Sequence, residues 1–320
     1  MRDAIEAFRG TILAAVGYAL EEIEPGRLHR FATSDRRSDD AGWCKLFDDM
    51  RGGVFGCHRQ FPGQTFTWTA AARPAMTRKQ RSAHARQVTV ATAEREAQQR
   101  RQWADNAQRI AQVWAQCVPV TRGDSVSLYL DRRGLADVWP LPDMLRLHRA
   151  MPYWHEGEKL GTFPAMMAPI ITPDGCTVAL HRTHVTADGR KADVPVVKKL
   201  TGSAGTLAGA CIRLHWPARG VLGVAEGIET ALAASLASGV PTVAAYCASA
   251  LAGFVWPAGV QRLVIFADND RAGRESASEL QSRAVRTGLA VNVMTPTDDG
   301  ADWCDVWAHR GAVSIEGAAA

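Results

Sequence analysis

The sequence predicts an α/β protein with a central parallel sheet in its C-terminal third, preceded by a mixed α+β region and a small β-rich unit at the N-terminus. Three observations carry this. Two short, continuous apolar runs, at 221–225 and 263–266, each end in carboxylates and are followed by helical patterns, the pattern of strands buried on both faces. The middle of the chain is punctuated by Pro-Asp-Gly and Asp-Gly turns between apolar runs, as antiparallel strands are. Before residue 72, short alternating runs are separated by Asp, Arg and Gly clusters, which predicts a small antiparallel sheet.

In chain order, residues 2–22 are expected to be helical, stopped by Pro25-Gly26. Strands are expected around 28–32, 42–47, 53–57 and 65–69. The aromatics Phe31, Trp43, Phe47, Phe55, Phe66 and Trp68 in these runs are either the core of a little β-domain or a stacking platform for nucleic acid. Residues 76–118 lack Gly and Pro and are rich in Arg, Gln and Ala, predicting one long helix or a helical pair ended by Pro119. With Arg73 upstream, Arg78, Lys79, Arg81, Arg86, Arg95, Arg100, Arg101 and Arg109 stand against only Glu94, Glu96 and Asp105. This stretch is either a solvated linker or an arm that contacts phosphates.

From 119 to 217 the pattern is mixed. Residues 125–132 and 141–147 are each a helix or a strand, and 168–182 reads as two strands around Pro173-Asp174-Gly175. Pro195 cannot donate to a ladder, so a strand in 194–200 starts after it or lies at a sheet edge. A Gly-rich stretch then leads to Cys211-Ile212-Arg213-Leu214.

The chemistry is concentrated in the two strand endings. The run ending at Ala225 delivers Glu226 to a Gly turn, and the run ending at Phe266 delivers Asp268 and Asp270 to a turn closed by Gly273. Ligands of parallel sheets bind beyond the carboxyl ends of the strands, so three acids converge at one edge. Such a cluster repels itself unless a divalent cation lies among the carboxylates, and oxygen ligands of this kind suit Mg²⁺. Phosphate chemistry is the natural use. The plainer reading makes Asp270 a helix N-cap and Glu226 an acid beside a helix N-terminus. Asp298 and Asp299 sit in a Pro/Thr/Asp/Gly loop and read as a solvated turn.

These residues resemble the Toprim domain of bacterial-type primases, topoisomerases and some nucleases, whose signature is a Glu after one strand and D-x-D after a later one. Asp268-Asn269-Asp270-Arg271-Ala272-Gly273 is most similar to the primase branch, and Asp302-Trp303-Cys304-Asp305 resembles the segment in which primases add a carboxylate to the metal site, either Asp302 or Asp305. The region before it, with a basic strand, a Gly-rich stretch and an I-R-L strand leading into E-G-I-E-T, resembles primases of phages and conjugative plasmids. The resemblance covers 125–311.

The resemblance implies a Toprim domain at 218–312, a primase-type α+β subdomain at 119–217, a basic helical linker at 73–118, a small N-terminal α+β domain at 1–72 and a flexible tail at 313–320. It implies a DNA primase, a nucleotidyltransferase that makes RNA primers on a single-stranded DNA template from ribonucleoside triphosphates. Glu226, Asp268, Asp270 and one of Asp302 or Asp305 would hold Mg²⁺ (or Mn²⁺), with Glu226 either a ligand or a carrier of protons. Arg182, Lys198, Lys199, Arg213 and Arg271 are candidates for contacting triphosphate or template phosphates. Many such primases open with a zinc ribbon, but Cys57-His58 has no second ligand pair at suitable spacing, so zinc is not expected. No G-x-x-x-x-G-K-[ST] sequence is present, so a helicase or replication initiator would be a separate protein.

Composition fits this reading. At 320 residues, two or three units are expected. Net charge is +4, but from Val221 onward 11 acids face 6 Arg and Lys, so the preceding residues carry +9. An acidic catalytic module joined to a basic partner suits a polyanionic substrate. Seven scattered cysteines without C-x-x-C imply free thiols and a cytoplasmic location. The apolar patch at 11–20 is flanked by acids on both sides, which marks an amphipathic helix rather than a secretion signal, and no run is long enough to span a bilayer. A Toprim topoisomerase needs a nucleophilic Tyr, and Tyr18, Tyr129, Tyr153 and Tyr246 lie in no such setting. An Asp-nucleophile phosphatase would place its motif on an early strand. A Toprim nuclease and a catalytically silent DNA-binding replication accessory remain as alternatives.

Overall fold

A computed structural model describes residues 2–34, 39–61, 64–70 and 78–310. The tail expected at 313–320 and Arg73 lie outside the described residues. The chain divides into two compact units, residues 1–92 and 93–320.

The first unit holds helix α1 (Arg2–Val16) and strands β1 (His29–Phe31), β2 (Gly42–Leu46), β3 (Gly52–Cys57) and β4 (Phe66–Thr69). The strands form an antiparallel meander in the order β1-β2-β3-β4. The helix expected to reach residue 22 stops at Val16 because Gly17 turns left-handed, with φ of 81° and its N–H bonded to Leu13 O at 2.9 Å. Phe8, Ile12 and Val16 of α1 pack on Phe31, Cys44, Leu46, Phe55 and Cys57. A glycine is required at position 53, since a Cβ there would come within 2.6 Å of the Phe8 ring.

Helix α2 spans Arg78–Ala115, one helix rather than a pair. Its last turns are not a linker. Ile110, Val113, Trp114 and the following Cys117 pack on Met151, Ala165, Met167 and Leu180, and Asn106 Nδ2 donates to Ser203 O at 2.8 Å.

In the second unit, an antiparallel sheet has the order β5-β6-β7-β8-β9: β5 (Val118–Pro119), β6 (Arg146–His155), β7 (Glu158–Ile171), β8 (Thr177–His184) and β9 (Lys198–Leu200). The strand expected near 194–200 begins after Pro195 and lies at the edge, and the turn between β7 and β8 has Gly175 at φ 93°. Residues 125–132 are helix α3 (Ser125–Arg132), N-capped by Asp124, whose side chain accepts from Val126 and Ser127 N–H groups.

The C-terminal sheet is fully parallel, in the order β11-β10-β12-β13: β10 (Val221–Ala225), β11 (Thr242–Ala244), β12 (Arg262–Phe266) and β13 (Ala290–Met294). Helices α4 (Ile228–Ser238), α5 (Ala248–Ala252), α6 (Arg271–Arg286) and α7 (Trp303–Ala308) complete it. Ala277, Leu280 and Ala284 of α6 and Leu251 of α5 cover Leu222, Val224, Leu263 and Ile265 on one face. On the other, Ile228, Ala231 and Leu232 of α4 join Val126, Tyr129 and Leu130 of α3 and Met166, Ala168 and Ile170 of β7 in one core. Burial on both faces is why these strands are continuous apolar runs. Residues 211–214 bridge the two sheets: Cys211 pairs with Ile171 at the end of β7, and Ile212 pairs with Ala244 of β11.

Candidate functional site

Parallel register sets the site. Ala225 lies level with Phe266 and with Ala244, so Glu226 and Asp268 leave adjacent strands at the same edge. Gly273 then allows α6 to start close beside its strand: a Cβ there would sit 2.4 Å from Asp268 O. Asp270 caps α6, its Oδ1 accepting from Gly273 N at 2.7 Å. Asp302 caps α7 in the same way, with Oδ1 accepting from Asp305 N at 2.8 Å. Capping and metal binding are compatible, since each carboxylate keeps lone pairs beyond its cap bond.

The electrostatics are those of crowded acids. Burial first, then the charges of Glu226, Asp302 and Asp270, push the Asp268 carboxyl up to about 7, with Lys198 opposing. Burial and then Asp270 raise Glu226, opposed by Lys198 and by the Ala248 N–H at the start of α5. The buried Asp268 Oδ1 has no hydrogen-bond partner among the described residues. A buried carboxylate oxygen without a donor is costly, and a divalent cation is the partner that would satisfy it while offsetting its neighbours. The donor set therefore fits Mg²⁺. Among the described residues, no three His, Cys, Asp or Glu side chains are drawn tightly enough together to form a finished ligand set.

Of this pair, Asp302 is the one whose charge is among those raising Asp268. Asp305 instead closes a capping box, accepting from Asp302 N at 3.3 Å, and faces Arg133 at 3.9 Å. Arg133 also lies 3.6 Å from Asp302.

Of the five expected phosphate-binding cations, the structure brings Lys198 to the acids. Its ammonium pairs with Glu229 at 2.9 Å and acts on both Glu226 and Asp268. Strand alternation turns the next residue away. Lys199 lies over the Tyr153 ring at 4.6 Å and donates to Trp154 O, opposite Arg182 in the ladder. Arg182 donates to Leu200 O at 2.8 Å. Arg213 donates to Thr172 O at 2.6 Å and stacks on Trp216 in a cleft at the far end of the parallel sheet, beside Leu222 and Val243. Arg271 is exposed and pairs with Glu275 at 2.8 Å.

Sequence reasoning missed Glu229. It is buried in the first turn of α4, where Lys198 and the Tyr129 hydroxyl, at 2.6 Å, hold it. Burial alone would raise its carboxyl, but Lys198 and then the Tyr129 hydrogen bond outweigh that and keep it near 2. The available signal was a lone acid among Ile228, Thr230, Ala231, Leu232 and Ala233. Asn269 was also missed. Its N–H bonds Ala301 O, its carbonyl accepts from Gly300 N and its Nδ2 bonds Asp298 O at 2.9 Å, tying the 298–301 loop, and with it Asp302, to the D-x-D turn. The exposed Asp299 side chain reaches Arg274 at 3.5 Å.

A four-stranded parallel sheet with Glu226 beyond one strand and Asp268 and Asp270 beyond its neighbour defines a Toprim domain. Residues 221–313 match the family profile of that domain. Residues 104–214 match a domain of unknown function (DUF7146). No curated protein matches the sequence. Among solved structures, a DNA primase domain from Pseudomonas aeruginosa is 16% identical over 51% of this chain and 52% of its own, with a TM-score of 0.34. A DnaG primase catalytic domain bound to single-stranded DNA is 16% identical over 66% of this chain and 77% of its own, with a TM-score of 0.43. The zinc-binding and RNA polymerase domains of the Aquifex aeolicus primase are 14% identical over 97% of this chain and 82% of theirs, with a TM-score of 0.36. The chain spans about half the length of the first of these. No helix among the described residues is long and apolar enough to cross a membrane.

Proposed function

We propose that this chain is a primase-type nucleotidyltransferase that makes short RNA primers on single-stranded DNA in phage or plasmid replication. The observation that carries the proposal is Asp268, a half-buried carboxyl with one buried oxygen unpartnered among the described residues, under the charges of Glu226, Asp270 and Asp302 at the carboxyl edge of the parallel sheet. Those four residues would hold Mg²⁺ or Mn²⁺. An ion held there would supply the Lewis acidity that lowers the pKa of an attacking 3′-hydroxyl and offsets charge on a leaving pyrophosphate. Lys198, fixed by Glu229, presents an ammonium beside the acids where it would attract a phosphate. Asp270 and Asp302, locked by their helix caps, keep the carboxylates oriented without reorganisation. A separate helicase or initiator would deliver the template.

Incubating the protein with single-stranded DNA, labelled ribonucleotides and Mg²⁺ or Mn²⁺ tests this. The expected result is short labelled oligoribonucleotides that vanish when the metal is chelated. Fragmented template without labelled product would assign a nuclease, and neither product would assign a silent DNA-binding accessory.

A further inference from the structure

The N-terminal sheet has two unlike faces. Burial alternates strictly along β2, where Gly42, Cys44 and Leu46 are buried and Trp43 and Lys45 are half-buried. The inward face, under α1, takes Phe31, Phe55, Phe66 and Trp68. The outward face carries Arg30, Trp43, Lys45, Val54 and Thr67, and none of these belongs to the core under α1.

Cross-strand register builds one row on that face. Arg30 pairs with Trp43, and Trp43 pairs with Gly56. The indole lies across Gly56, where a Cβ would come within 2.9 Å of ring atoms, and the His58 ring is 6.4 Å away. The missing Cβ at Gly56 leaves room for the ring and for Gln64 O, which is also 2.9 Å from that position. The next row pairs Lys45 with Val54 and Val54 with Thr67.

The outward positions of the four strands include two cations and no acid. The ion pairs of this unit among the described residues are Arg9 with Glu6, Arg27 with Glu24 and Arg59 with Asp39, so Arg30 and Lys45 are in none of them. An aromatic ring beside two cations that are in no ion pair among the described residues complements a chain that offers unpaired bases and phosphates together. A duplex offers its phosphates but hides the base faces.

We infer that the outward face of β1–β4, centred on Trp43 with Arg30 and Lys45, is a binding surface for single-stranded nucleic acid. It is separate from the acid cluster and needs neither metal nor nucleotide.

The test uses the full chain in EDTA without nucleotides, with a labelled oligothymidylate of about 16 nucleotides as probe. Removing one stacked base contact costs at least about 1 kcal/mol, so Trp43→Ala is expected to weaken binding about fivefold or more. Arg30→Gln with Lys45→Gln is expected to reduce the slope of log affinity against log salt by about 1.4, from two phosphate contacts on a single strand. Duplex of the same length should not respond to Trp43→Ala. If that variant melts below wild type, the surface charge pair decides, together with photocrosslinking of bromodeoxyuridine oligonucleotides to the wild-type protein, where the adduct is expected in the β1–β3 peptides. Unchanged affinity and slope in the charge pair with no adduct there, or an equal loss of duplex binding, would overturn the inference. Binding in EDTA without primer synthesis would leave this surface standing and remove the proposed activity. Synthesis with no response to these substitutions would do the reverse.

Discussion

Replacing Lys198 with Met should destabilise the second unit in a way that depends on pH. The ammonium is 44% exposed at its side chain, while the Glu229 carboxylate it holds is only 4% exposed. Without it, Glu229 keeps the Tyr129 hydroxyl and a backbone N–H but no cation. Breaking a buried pair from one side costs about 3–5 kcal/mol, and the solvent reaching Lys198 places this case at about 3. The carboxyl's own titration agrees in direction: it is held at about 2, below its ordinary 4.5, with Lys198 the largest of the causes that lower it. A depressed carboxylate pKa contributes stability that is complete above 4.5 and is lost as pH falls toward 2. The deficit of Lys198→Met should therefore be full at neutral pH and shrink as Glu229 becomes protonated. Denaturant unfolding of wild type, Lys198→Met, Glu229→Gln and the double variant, at neutral and acidic pH, measures this directly. The double variant should recover much of the loss at neutral pH, because no unpaired buried charge remains. A Lys198→Met protein as stable as wild type at pH 7, or one whose deficit ignores pH, would refute the reasoning.

Three further outcomes are expected at the acid cluster. Asp270→Asn should abolish nucleotidyl transfer and reduce the melting shift given by Mg²⁺, yet leave metal-free stability unchanged or raised, since Asn still caps Gly273 N and one repelling charge is gone; an active variant with a normal Mg²⁺ response would remove Asp270 from the metal site. Gly273→Ala should cost about 1–3 kcal/mol and cut activity, because its Cβ would press on Asp268 O from 2.4 Å, as melting curves and turnover would show. With the Asp268 carboxyl at about 7 in the fold against 3.8, metal-free stability should fall as pH rises from about 4 through 7, while Mg²⁺ affinity should rise over the same range as the proton leaves. Calorimetry in buffers of differing ionisation enthalpy would read out the released proton.

What was legible in the sequence followed from periodicity and turn chemistry. The strands ending at Ala225 and Phe266 announced themselves as apolar runs because both sheet faces are covered, and Pro195, with no N–H to give, required a strand to start after it or lie at an edge; β9 does both. The cations were harder. Lys198 and Lys199 are adjacent and chemically alike, and only the ladder shows that one faces Glu229 and the other Tyr153. Asp302 and Asp305 differ likewise through a cap that either spacing allows. Glu229 escaped notice because its partners, Tyr129 and Lys198, are 100 and 31 residues away, and no local pattern encodes a contact at that distance. Among the aromatics, the split between Phe55 under α1 and Trp43 on the opposite face needed the register of β2 against β3.

The bridge at 211–214 affects how this protein can be taken apart. A break after residue 217 follows the sequence pattern and the gap between the two family matches, so it would be an obvious place to start a shorter protein. Yet Ile212 N donates to Ala244 O at 2.8 Å and Ala244 N donates back at 3.1 Å, while Cys211 exchanges the same pair of bonds with Ile171. A fragment starting at 218 would leave β11 as a bare edge strand, with the apolar Val243 and Ala244 uncovered and two backbone groups in search of a partner. Bare edges of that kind recruit other chains, so such a fragment should self-associate, whereas one starting before 211 retains its own covering strand.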